Sequence, residues 1–121
     1  MIYKLLTLQE WRAAKAAGEF AGSEFDKADG FVHFSTAEQV VQTAARHFTG
    51  QRGLAMLTVD ADELGDALRW EPSRGGDLFP HLYAPLKVSA VVAEVELPDG
   101  VPVDQAVAEI LGQDGLGCRH G

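Results

Sequence analysis

Two short apolar runs in this sequence lead directly into helix-opening signals, and that arrangement restricts the fold more than any other feature. IYKLL is followed by Thr7 and Glu10, and FVHFS contains Ser35 with Glu38 three residues on. In the S/T-x-x-E spacing the first side chain and the fourth cap each other's backbone N–H groups, so a helix starts there. Each strand is therefore stopped at once by a helix. After IYKLL, apolar positions recur at Leu8, Trp11 and Ala14, and Gly18 can end the helix in the left-handed conformation. After FVHFS, Val40, Val41, Ala44, Ala45 and Phe48 form one apolar face. EFAGSEFDKADG between them reads as a polar loop.

The second half changes character. LAMLTVD has the continuous apolar pattern of a buried strand, and DADELGDAL suits a single helical turn. LRW is a short strand stopped by Pro72, with Trp70 facing the core between Arg69 and Glu71. The stretch from Pro72 to Pro85 is expected to be mostly loop. VSAVVAEVELP alternates over Val91, Ala93, Val95 and Leu97, and VDQAVAEIL forms a last amphipathic helix. The order β-α-β-α-β-β-β-α fits an α+β domain better than a regular parallel array. One domain over residues 1–112 and a flexible glycine-rich tail over 113–121 are expected.

A chain of 121 residues can bury a real core. Its net charge of -8 works against non-specific binding to DNA, RNA or anionic lipid. No segment approaches the ~20 apolar residues of a membrane-spanning helix. A single cysteine, Cys118, allows no intrachain disulfide, which suits a reducing cytoplasm. The spacings of HExxH, paired cysteines and His-x-His are missing, so no metal is expected.

Three clusters could carry chemistry. In an extended FVHFS, His33 and Ser35 share a face, and His33 is either a core histidine bonded to backbone or a ligand contact. In RWEPSRGGD, Arg69 and Glu71 share a face. They form either a plain surface pair or a site in which Glu71 accepts from a ligand while Arg69 or Arg74 holds an anion. In FPHLYAP two prolines restrict the backbone, and His81 and Tyr83 point the same way; the segment is either a purely structural turn or a rigid loop that presents them to a ligand. His47, at a helix C-terminus, reads as structural.

Together DGFVHFST, RWEPSRGGDLFPHLYAPL and the alternating strand resemble a small family, found in bacteria and some plants, known as a domain of unknown function. That family is grouped with the ADP-ribosyltransferases. The resemblance implies a curved, largely antiparallel split sheet with flanking helices around a cleft for NAD, a candidate substrate. By that likeness Tyr3 and Lys4 lie at a first-strand ligand position, His33 and Ser35 on the second strand, and Tyr83 supplies an aromatic. The function it implies is a nucleotide-type cleft acting at an N-glycosidic ribose bond, with Glu71, His33 and His81 as catalytic candidates. Glu94 and Glu96 on the late strand match no clear Q/E-x-E pattern. Two other classes stand beside it: a non-catalytic module for a nucleotide or small anion, and a small hydrolase using His33 and His81 as a pair.

Overall fold

The computed structural model describes residues 1–72 and 76–120, with the side chains of its last helix described as far as residue 112. Strand β1 (Ile2–Thr7) runs into helix α1 (Leu8–Ala17). The Thr7–Glu10 capping box forms as its spacing predicts, and Gly18 closes the helix at φ 87°. β2 (Glu19–Phe20) and helix α2 (Glu24–Asp29) follow, then β3 (Val32–His33) and helix α3 (Ala37–His47). Next come β4 (Leu54–Val59), a 3-10 segment (Ala61–Ala67), and the pair β5 (Leu68–Pro72) and β6 (Leu78–Leu82). β7 (Leu86–Lys87), β8 (Val91–Glu96) and helix α4 (Val103–His120) complete the order. The expected tail from residue 113 falls where side chains are outside the described set.

The architecture is α+β, with antiparallel sheets and flanking helices. The strands pair in three groups, β1-β4-β8, β2-β7 and β3-β6-β5. The first and third groups meet at one bridge, where Tyr3 and Ser35 exchange backbone hydrogen bonds of 2.8 and 2.9 Å.

β4 is the middle strand of its sheet, and apolar groups cover both faces. Ala55, Leu57 and Val59 join a core with Ile2, Leu6, Trp11 and Phe20. Leu54 and Met56 join a second core with Leu5, Val40, Leu97 and Val107. That double burial is why LAMLTVD reads as a continuous apolar run rather than an alternating one. Among the described residues, no helix is long and apolar enough to cross a membrane.

Four expectations need correction. The polar loop EFAGSEFDKADG contains α2, because Ser23 and Asp26 form a capping box with aspartate in the place of glutamate. The helix after FVHFS starts one residue late: Thr36 and Gln39, not Ser35 and Glu38, make its box. The stretch from Pro72 to Pro85, expected to be mostly loop, holds among its described residues the strand β6, the central strand of its sheet. Pro80 is tolerated there because a strand residue's N–H and C=O face the same neighbour. Its carbonyl accepts from Phe34, just past the end of β3, so the missing donor falls where that ladder has already stopped.

Trp70 is the fourth correction. It is 46% exposed rather than core. The alternation is right, because Trp70 pairs with buried Pro80 on the face that also carries Leu68 and Leu82. However, β5 is an edge strand, and on that face Leu68 packs against the core whereas Trp70 does not.

Candidate functional site

The β3-β6-β5 register places the candidate residues. His33 lies opposite His81, and His81 lies opposite Arg69. Cross-strand partners share a face, so the three side chains form one row, with Glu71 and Phe79 in the next row along β5 and β6. Residues separated by about 50 positions are brought together by strand pairing alone.

Glu71 is the centre of this face. Its Oε1 accepts from the Tyr83 hydroxyl at 2.6 Å and lies 2.9 Å from Nδ1 of His81. The hydrogen bond from Tyr83, then that from His81, holds the Glu71 carboxyl below the usual carboxylate range. The same bond to Glu71 raises the Tyr83 phenol. When Nδ1 of His81 donates to Glu71, the neutral ring keeps its acceptor at Nε2. Phe31 stacks on His81 with ring centroids 4.0 Å apart, and the Arg69 guanidinium lies 5.2 Å from the Tyr83 ring centre.

A second network lies on the other side of His33, whose ring is 5.7 Å from that of His81. Asp26 is 1% exposed, and Lys4 is 7% exposed. The Lys4 ammonium donates to Asp26 Oδ1 at 3.1 Å and to the carbonyl of His33 at 3.0 Å. His33 Nδ1 lies 2.6 Å from Asp26 Oδ1, and Nε2 lies 2.8 Å from Asp29 Oδ2. Burial alone would raise the Asp26 carboxyl. The bond from His33, the Lys4 ammonium and the N–H groups of Ser23 and His33 overcome it and hold the carboxyl far below the usual range. Burial lowers the Lys4 ammonium, and Asp26 only partly restores it.

This network borders a cavity of about 630 Å³ between β1, α2 and α3. Lys4, Ser35, Thr43 and His33 supply polar groups to its wall, while Leu5, Val40 and Phe48 supply apolar ones. Ser35 Oγ is 3.1 Å from Thr43 Oγ1.

The candidates therefore divide between two adjoining compartments. Tyr3, Lys4 and Ser35 line the cavity. Glu71, His81, Tyr83 and Arg69 occupy the sheet face, and His33 contacts both. Arg74 lies outside the described residues. Glu94 is elsewhere: it accepts from the Trp11 indole and lies 3.8 Å from Lys15. Sequence reasoning missed Phe25, Asp26 and Asp29, all of which sit in the stretch read as loop. It also missed His47 and Thr43, which line the cavity from α3. The Ser23–Asp26 spacing was the signal that could have revealed α2.

No match was found among curated proteins. Among solved structures, the crystal structure of protein CC0527 from Caulobacter crescentus is 53% identical, with a TM-score of 0.81 over 88% of this chain and 97% of that one. A crystal structure of its double mutant is 52% identical with the same TM-score and coverage. The solution structure of CC0527 is 56% identical, with a TM-score of 0.73 over 84% of this chain and 90% of that one. The family model described as protein of unknown function DUF952 matches residues 5–94, and the chain belongs to that family.

Proposed function

We propose that the cavity and the adjoining sheet face form one site for a nucleotide-type ligand such as NAD, with chemistry at the N-glycosidic ribose carbon. The observation that carries this reading is the Tyr83–Glu71–His81 constellation. A carboxylate fixed by two donors and kept ionised is suited to a transition state in which positive charge develops at a ribose carbon. His81 and Arg69 flank that carboxylate, and His33 joins it to a cavity whose volume lies in the usual range for small-molecule sites. The cleavage needs water or another nucleophile to take the ribosyl group as nicotinamide leaves.

A second reading is a binding module without turnover, and a specific observation favours it. Both ring nitrogens of His33 face aspartates, and Glu71 does not line the cavity. His33 thus has no ring nitrogen left for a base, which also weighs against a hydrolase built on the His33–His81 pair.

Glu71→Gln separates the two. The substitution keeps the shape and removes the charge. An enzyme loses about 10²-fold or more in nicotinamide release from NAD while retaining ligand affinity by calorimetry. NAD binding without release in wild type leaves the binding module. Neither binding nor release removes NAD as the ligand.

A further inference from the structure

Helix α2 is held to the rest of the protein in an unusual way. Its only buried residue is a carboxylate, Asp26. Phe25, its largest apolar side chain, is 59% exposed. Its side-chain ties are the ion pairs of Asp26 with Lys4 and His33 and of Asp29 with His33, beside the stacking of Phe25 on His33. The backbone turns at both ends on glycines in the left-handed region, Gly22 at φ 114° and Gly30 at φ 89°. A helix without an apolar anchor in the core opens at lower cost than one packed into it.

The same helix walls the cavity. Ser23, Glu24, Phe25 and Asp26 all line it. Phe25 stacks on His33 at 4.7 Å and sits 6.0 Å from the ring of His47 on α3, so it spans the gap between the two helices. Asp26 is buried, whereas the Asp29 side chain is 46% exposed. The inner tie is therefore sheltered from water, and the outer one is accessible to it.

We propose that α2 is a flap over the cavity, pinned by Asp26 and latched by the Asp29–His33 contact, and that it opens on Gly22 and Gly30 to admit ligand. Ligand entry rests on the reading of the cavity given above; the latch does not.

Asp29→Ala tests the latch by hydrogen exchange on the full chain without ligand. An aspartate in the last turn opposes the helix dipole, so its removal by itself favours the helix. Faster opening after the substitution can then come only from the lost tie. The expected result is exchange about tenfold faster over residues 24–31, with Leu54–Val59 unchanged. Unchanged exchange over 24–31 overturns the proposal. Faster exchange throughout, including β4, also overturns it, because Asp29 would then merely support the whole fold. In a separate arm, saturating NAD with wild type should slow exchange over 24–31. If it does not while the Asp29→Ala effect is present, the flap stands and NAD as its ligand fails.

Discussion

One oxygen of Asp26 meets His33 twice, at the backbone N–H (3.1 Å) and at Nδ1 of the ring (2.6 Å). The ring is thereby fixed against its own backbone, and Lys4 completes the arrangement from β1. Asp26→Asn would leave a buried ammonium without its counter-charge. The expected loss is about 3–5 kcal/mol at neutral pH, measured by urea unfolding.

The pH dependence of that loss has a definite sign. The folded state holds the Asp26 carboxyl below its ordinary range, so on acidification the unfolded chain takes up this proton first. The stabilisation is complete above the unfolded value of about 4 and is lost as the pH falls below it. The gap in stability between wild type and Asp26→Asn should thus narrow from pH 7 towards pH 2. A gap that stays constant over that range would mean that Asp26 is not an ionised partner.

Tyr83→Phe removes the hydroxyl that donates to Glu71 and leaves His81 in place. The Glu71 carboxyl should titrate below the usual carboxylate range in wild type and move upward in the variant. Carboxyl NMR titration reads this directly and needs no ligand. An unmoved Glu71 would show that Tyr83 does not hold it in solution.

The two tryptophans should behave differently. Trp11 is 2% exposed and its indole N–H donates to Glu94, so Trp11→Ala should cost about 3–5 kcal/mol. Trp70 overhangs the edge of its sheet, and Trp70→Ala should cost only about 1 kcal/mol. Equal losses in thermal unfolding would mean that the β5 edge is covered in solution.

The sequence was most readable where local chemistry and tertiary packing agree. The first capping box, the helix break at Gly18 and the buried run of β4 all appear where the pattern puts them. Shared facing of Arg69 with Glu71, and of His81 with Tyr83, also follows from alternation. What alternation cannot supply is register. Nothing in FVHFS or FPHLY states that His33 lies opposite His81, since that depends on which strands pair. The edge position of β5 depends on the same pairing, and the exposure of Trp70 depends on it in turn. α2 escapes such a reading because it has no apolar stripe: its inner residue is charged, and its phenylalanine, though stacked on His33, is largely exposed.

Strand β1 has a consequence for how the chain acquires its fold. Its ladder partner is β4, with Ile2 opposite Val59 and Thr7 opposite Leu54, so the whole stretch between Thr7 and Leu54 separates the two halves of that pairing. By contrast, β5 and β6 are neighbours in the chain and can close as a local hairpin. Pairings between distant segments form slowly, because a long loop must be ordered before any contact rewards it. Until β4 arrives, Ile2, Leu5 and Leu6 form a sticky, unpaired strand, and aggregation during refolding should begin there.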